Sequence, residues 1–379
     1  MIHSPNPQSP KPSLEGDTLT KEERHRYARH FILPEFGEAG QQRLKASKVL
    51  VVGAGGLGSP VLQYLAAAGV GTIGIIDDDT VDLSNLQRQV LYTVNDLGRP
   101  KAVVAKESVL AINPHINVHI YQERLTIDNV LDIIADYDIV ADGTDNFPTR
   151  YLVNDACVLA GKVNVYASIF RFEGQVSVFN LPKADGSRGI NYRDLFPEPP
   201  DPDSVPSCAE GGVLGVLPGI IGSMQANEVI KVAAGVGEPL AGRLFLFDAA
   251  SFSTRVLKIP RNPNVEIKSL EALQEYCRIP TNDFSSMSAV DFLAWRDNHQ
   301  HTLIDVREPK EFAAQNMGGK LIPLSQLKER TDEIPKDHPV VIHCKSGARS
   351  KRAIQLLMDN WGYQNLINLE GGIDAWSLL

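Results

Sequence analysis

Cysteine is scarce in this chain: four occur in 379 residues, at Cys157, Cys208, Cys277 and Cys344, far apart and without a C-x-x-C pair. That spacing excludes a disulfide framework and a four-cysteine zinc site, so each thiol has to be judged singly. Long apolar runs are missing as well. No stretch of about 18 uninterrupted apolar residues occurs, which excludes a bilayer-spanning helix. There is no run of Lys and Arg, and with a formal net charge of -9 neither nucleic acid nor a membrane is expected as a partner. The Pro- and Ser-rich opening "MIHSPNPQSPKPSLEGDTLT" lacks the apolar core of a secretion signal. Residues 1–20 are therefore expected to be a disordered, cytoplasmic N-terminus.

What the chain does have is a repeated alternation. With 43% hydrophobic and 22% charged residues it has the balance of a globular protein, and its length exceeds one ordinary core. Glu22 to Lys45 reads as helical, interrupted at "FILPEFG". "KVLVVG" is then a buried strand, "SPVLQYLAAAGV" a helix with Pro60 in its first turn, and "GTIGIID" a second buried strand. "RPKAVVAKESVLAIN", "INVHIYQE" and "DNVLDIIADYDIVADGTDN" continue the series, which implies a parallel sheet with helices on both faces. The strand-rich "KVNVYASIFRFEGQVSVFN" leads into a polar, Pro-rich stretch from about 181 to 206, read as a long loop. "GVLPGIIGSMQANEVIKVAAG" reads as a helix and "GRLFLFDAASFSTRVLKI" as a closing strand pair. After an unpatterned stretch, a second and smaller α/β alternation runs from "SAVDFLAWRDN" through "PVVIHC" and "SKRAIQLLMDNWG" to "QNLINLEGG".

Gly53, Gly55 and Gly58 lie between the first strand and its helix. Glycines there allow a tight turn and let a phosphate approach backbone N–H groups at the positive helix end. Asp77 ends the next strand, where a carboxylate can hold a ribose hydroxyl pair. NAD, FAD and ATP satisfy this pattern equally. The neighbours separate them: "DLSNLQRQ" places Asn85 and Arg88 just past the second strand, and "GRPK" places Lys101 at the start of the next helix. Fixed cations suit a triphosphate undergoing cleavage better than a dinucleotide's pyrophosphate. "GTDN" then sets Asp145 at the end of a further strand, where one carboxylate can hold magnesium. The expected ligand is Mg-ATP.

"RYARH", "GAGGLGS", "IIDDDTVDLSNLQRQ", "GRPK" and "GTDN", in this order and approximate spacing, resemble the ubiquitin-activating-like adenylyltransferases of the MoeB/ThiF type. The resemblance implies a Rossmann-like, E1-type nucleotide-binding domain over residues 21–265. Its implied reaction is adenylation of the C-terminal glycine of a small ubiquitin-like sulfur-carrier protein ending in Gly-Gly, with release of pyrophosphate. Carried over position by position, Gly53, Gly55, Gly56 and Gly58 frame the nucleotide, and Asp77 binds ribose. Ser84, Asn85, Leu86, Gln87, Arg88 and Lys101 line the phosphate side, Asp145 binds Mg2+, and Asn146 stands beside it. Arg29 reaches the triphosphate of the neighbouring subunit of a homodimer. Many relatives hold zinc on two C-x-x-C pairs; the matching positions here are Asn191, Asp194, Val265 and Lys268. A Val and a Lys cannot coordinate zinc, so none is expected.

"VIHCKSGARSKRAIQLL", with "LIDVREPKEF" before it and "LEGGIDAW" after it, resembles a rhodanese sulfurtransferase over residues 286–379, beyond a linker at 266–285. In the loop Cys344, Lys345, Ser346, Gly347, Ala348, Arg349, amides and a helix end are expected to favour an anionic thiolate or persulfide on Cys344. Phosphatases also place a Cys and an Arg on an anion loop, but four residues between Cys344 and Arg349 suit a sulfur-sized group better than phosphate. Asp305 and Arg307 support the loop. Cys208, in "VPSCAEGGVLG", matches a position assigned to sulfur transfer or thioester formation in rhodanese-fused members. Cys157 reads as core. The two halves together imply a thiocarboxylate made from an acyl adenylate and a persulfide, with a cysteine desulfurase or thiosulfate as sulfur donor. The molybdopterin synthase small subunit is the first choice of carrier. Carriers for thiamin, tRNA thiolation or cysteine synthesis are alternatives, as is a non-adenylating nucleotide-binding scaffold fused to a sulfurtransferase.

Overall fold

The computed structural model describes residues 19–200, 212–273 and 284–379. Residues 1–18 of the expected N-terminal tail, and both Cys208 and Cys277, lie outside them. The chain divides near residue 277 into two compact units.

The first unit opens with α1 (Lys21–Arg26), α2 (Ala28–Phe31) and α3 (Gly37–Ala46). Thr20 and Glu23 form a capping box that starts α1, and the chain breaks at the expected "FILPEFG" interruption. The alternating series follows: β1 (Lys48–Val52), α4 (Gly58–Ala68), β2 (Thr72–Ile76), α5 (Lys101–Ile112), β3 (Asn117–Tyr121), α6 (Val130–Ala135), β4 (Ile139–Asp142) and α7 (Phe147–Leu159). β5 (Val163–Phe170), β6 (Glu173–Phe179), α8 (Tyr192–Leu195), α9 (Leu217–Ala234), β7 (Arg243–Asp248) and β8 (Ser253–Lys258) complete it. The eight strands form one sheet in the order β3-β2-β1-β4-β5-β6-β7-β8. β1 to β5 pair in parallel; β6, β7 and β8 are antiparallel to their neighbours, with β5–β6 and β7–β8 as hairpins.

Period two explains the two-faced core. Val49 and Val51 of β1 point to one side, with α3, α4, α5 and α9; Leu50 and Val52 point to the other, with α6 and α7. The long polar loop carries the four-residue α8, which periodicity does not show. Asn191 and Asp194 cap α8 reciprocally, and the second Asp194 oxygen accepts from Asn262 N at 2.8 Å. Two of the four positions matching the zinc pairs are thus engaged in hydrogen bonds, and Asp194 ties the loop to the 262 segment. Lys268 sits on the surface in an ion pair with Glu266, and Leu270 and Leu273 are buried in this unit's core.

The second unit is a five-stranded parallel sheet in the order β11-β10-β12-β13-β9. Its elements are β9 (Ser285–Met287), α10 (Ala289–Arg296), β10 (Thr302–Asp305), α11 (Pro309–Ala314), β11 (Lys320–Leu321), β12 (Val340–His343), α12 (Ala348–Trp361), β13 (Leu366–Leu369) and α13 (Gly372–Trp376). Val340 and Ile342 of β12 face Ile354 and Leu357 of α12, and Val341 faces Phe292 on the other side. Among the described residues no helix is long and apolar enough to cross a membrane.

Candidate active site

The strand order reverses between β1 and β4, and the loops leaving β1 to β4 at their carboxyl ends surround a cavity of about 650 Å³. Gly53 takes φ +89°, a left-handed conformation that a side chain resists. Gly58 is needed for a different reason. A Cβ there would stand 2.0 Å from the Gly53 carbonyl oxygen, backbone against backbone, and Gly58 itself does not border the cavity. It closes the loop, while Gly53, Gly55 and Gly56 face the ligand space. Gly58→Ala is expected to destabilise the protein by about 1–3 kcal/mol, the cost of overpacking a core with no flexible neighbour, read as a lowered thermal midpoint.

Asp77 sits at the end of β2. Its carboxylate accepts Ala54 N at 2.8 Å and Asp79 N at 2.9 Å, fastening the glycine loop to the β2 loop. Burial pushes the Asp77 carboxyl up, and Lys101 nearby opposes that shift. Lys101, the first residue of α5, is 4% exposed, and its Nζ lies 2.8 Å from Asp79 Oδ2. Arg88 borders the cavity and donates to Ser84 O at 3.1 Å; Ser84 and Gln87 border it too. Asn85 and Leu86 do not. Asn85 Oδ1 accepts Asp82 N at 3.3 Å to cap the turn, and Leu86 packs on the core.

At the end of β4, Asp142 is wholly buried, and one of its oxygens accepts both the amide and the hydroxyl of Thr144, at 3.0 and 2.6 Å. Arg150 Nη2 donates to Thr144 O at 3.0 Å, and burial pushes the Asp142 carboxyl up against the pull of Arg150. This buried pair fixes the turn that presents Asp145 to the cavity, and Asn146 N-caps α7 beside it through Thr149 N at 3.0 Å. Asp145 is exposed, and its carboxylate accepts a long bond of 3.5 Å from Asn146 Nδ2. A lone carboxylate with open oxygens fits Mg2+, which keeps most of its shell for water and phosphate.

Arg29 does not border this cavity. Tyr27, next to it, packs on Gly69 at the C-terminal end of α4 and bonds Asn113 at 2.8 Å, whereas the glycine loop is at the N-terminal end, roughly 16 Å away along the helix. Cavity residues that no motif indicated include Glu123, Arg124, Leu125 and Arg150, and Asp79, inside a motif, was given no role. Those after β3 were open to anticipation only by their place at a carboxyl strand end.

In the second unit Cys344 follows β12 and is 1% exposed. Gly347, at φ +97°, turns its N–H onto Sγ at 3.1 Å, and the Ser350 hydroxyl stands 3.7 Å from Sγ and 2.7 Å from Asn368 Oδ1. Lys345 and Ser346 are exposed. Arg349 is held by Glu311 of α11 in a two-pronged ion pair at 2.7 and 2.8 Å, so its charge is shared with a carboxylate. Asp305 and Arg307 form a buried fork at 2.6, 2.9 and 3.0 Å beneath the loop. His343, buried beside Cys344, is kept neutral by desolvation, its pKa pushed down. Cys157 lies fully buried in α7 with its thiol pushed up by burial, an inert core position.

Comparison with known proteins gives a family for each unit. Residues 27–269 match the ThiF family, and residues 288–379 match the rhodanese-like domain. The probable adenylyltransferase/sulfurtransferase MoeZ of Mycobacterium tuberculosis is 48% identical over 96% of this chain and 95% of its own length. The sulfur carrier protein adenylyltransferase of Thermus thermophilus is 55% identical over 67% of this chain and 94% of its own. The adenylyltransferase and sulfurtransferase MOCS3 of Xenopus laevis is 38% identical over 97% and 89%. Among solved structures, Escherichia coli MccB with ATP aligns at a TM-score of 0.54 and 25% identity, over 66% of this chain and 75% of MccB.

Proposed function

Because this chain belongs to the ThiF family, carries a rhodanese-like domain behind it and is thus both an adenylyltransferase and a sulfurtransferase, we propose that it converts the C-terminal glycine of a ubiquitin-like sulfur carrier into a thiocarboxylate. The molybdopterin synthase small subunit is the carrier we put first. The observation that carries this reading is the cavity that gathers Asp77, Arg88, Lys101 and Asp145 around one glycine loop.

A carrier carboxylate oxygen attacks the α-phosphorus of ATP, the α–β P–O bond breaks, and pyrophosphate leaves. Two anions are brought together, so catalysis is alignment and charge neutralisation without a protein nucleophile. Asp77 binds the ribose, Arg88 and Lys101 meet the phosphates, and the loop amides at the α4 N-terminus face them. Asp145 would hold Mg2+, which supplies further neutralisation of the triphosphate. In the other unit Cys344 carries sulfur as a persulfide. Its terminal sulfur attacks the acyl carbon of the adenylate and expels AMP, leaving an acyl disulfide. Attack by the Cys208 thiolate on the Cys344 sulfur then releases the thiocarboxylate and joins the two cysteines, and an external dithiol reduces that bond.

Arg29, remote from its own cavity, serves the pocket of a second copy in a symmetric homodimer. Arg29→Ala and Lys101→Met variants, each inactive alone, are then expected to recover about a quarter of wild-type exchange when co-refolded, since half the dimers are mixed and each has one intact site. No recovery would mean that Arg29 does not serve the pocket of a second copy. The reading as a whole is tested by ATP–pyrophosphate exchange with a panel of Gly-Gly carriers, each against a version lacking those glycines. Exchange dependent on one intact carrier is expected and names the pathway. Absence of exchange with any carrier, despite ATP binding, would leave a scaffold joined to a sulfurtransferase.

A further inference from the structure

Asp79 has no part in the reaction as described, yet it holds the most buried cation of the cavity. Its Oδ2 is 2.8 Å from Lys101 Nζ, and its carbonyl accepts Lys101 N at 2.9 Å. The two residues are locked in place by their neighbours. Val81 N donates to Arg99 O at 2.9 Å and Gly98 N to Val81 O at 2.9 Å, so the 79–81 and 98–101 segments run as a short ribbon. Asp79 N is fixed in turn to the Asp77 carboxylate. The pair is lopsided: the Lys101 side chain is 6% exposed and that of Asp79 68%. Lys101 therefore has a fixed direction and a partner that water can readily replace. Any phosphate oxygen that reaches Nζ comes within a few ångströms of the Asp79 carboxylate, and like charges at that distance repel.

We propose that Asp79 is a positioning residue that competes with phosphate for Lys101, aiming the ammonium while holding down its grip on pyrophosphate. Binding that is equally tight before and after the transition state lowers KM without raising turnover, and it also retains the product. A solvent-facing carboxylate next to Lys101 loosens that uniform component. It reclaims the ammonium as pyrophosphate departs, whereas a lysine without it would trap inorganic phosphates at this point. The assignment rests on the reading that Lys101 meets the phosphates of ATP.

The test is calorimetry of the full chain with ATP, pyrophosphate and adenosine, on the wild type, Asp79→Asn, Asp79→Glu and Lys101→Met. Asp79→Asn is expected to bind pyrophosphate and ATP about three- to fivefold more tightly, the size that an exposed ion pair carries. The gain should shrink with added salt. Adenosine affinity should not change, and Asp79→Glu should behave as wild type. Equal or weaker pyrophosphate binding in Asp79→Asn overturns the proposal, as does adenosine affinity moving in parallel, which would make Asp79 a shaper of the loop. If Lys101→Met binds ATP as the wild type does, the phosphate reading of the cavity fails instead.

Discussion

Cys344→Ala is expected to stop sulfur transfer while carrier-dependent ATP–pyrophosphate exchange continues. The ThiF and rhodanese-like matches fall in separate compact units, and exchange as proposed needs no thiol. Sulfur transfer as proposed does: the Cys344 sulfur would be the covalent carrier, so its removal should lower thiocarboxylate formation by at least about a thousandfold, to the assay floor. Cys344→Ser should do the same, since a hydroxyl in this loop cannot carry sulfane sulfur. Mass spectrometry of the carrier after incubation with ATP and a sulfur donor reads the result as absence of the added sulfur. Loss of exchange along with transfer would mean that the two units are not independent, and retention of transfer would point to another thiol, with Cys208 the first to examine. Stability is a smaller concern here, because Sγ takes part in weak hydrogen bonds, from Gly347 N and the Ser350 hydroxyl.

Fold was legible wherever period and capping agreed. "KVLVVG", "GTIGIID" and "PVVIHC" are continuous apolar strands because both faces of each parallel sheet are covered. The turn to antiparallel pairing at β6 came through only as a strand-rich section, since nothing in "EGQVSVF" states which way its neighbour runs. α8 was missed for a related reason. Four residues carry too little period to read, and the bond that ties the helix to Asn262 joins distant segments.

The site was legible in its anchors and less so in its connections. Asp77, Arg88, Lys101 and Asp145 converge because each follows a strand or opens a helix at the same sheet edge. Asn85 and Leu86, adjacent to them in the motif, face away, because a 3-10 turn cannot direct every residue to one side. Arg124 and Leu125 have no motif, and only the topology brings them to the cavity. The spacing in the loop does not show that Arg349 shares its charge with Glu311, which lies in a helix far back in the chain. Motifs name residues, and tertiary contacts decide what each one is free to do.

Lys101→Met should lower carrier-dependent exchange about a hundred- to a thousandfold, the range seen when one preorganised charge donor is removed from a reacting centre. The effect should fall more on kcat than on the KM for ATP. Negative charge accumulates toward the leaving pyrophosphate as the α–β bond opens, so a fixed cation gains most in the transition state. Burial enlarges the effect: at 4% exposure Lys101 acts through a less polarisable surround than a surface lysine. Met matches the length and apolar stem of Lys, so packing at the start of α5 is retained and a stability loss is not confounded with a catalytic one. The substitution also strips Asp79 of its partner, leaving a bare carboxylate that repels phosphate. Adding Asp79→Asn to Lys101→Met should then recover severalfold in KM with no recovery in kcat. Recovery of both would mean that Lys101 contributes through binding alone, and the transition-state role given to it here would fall.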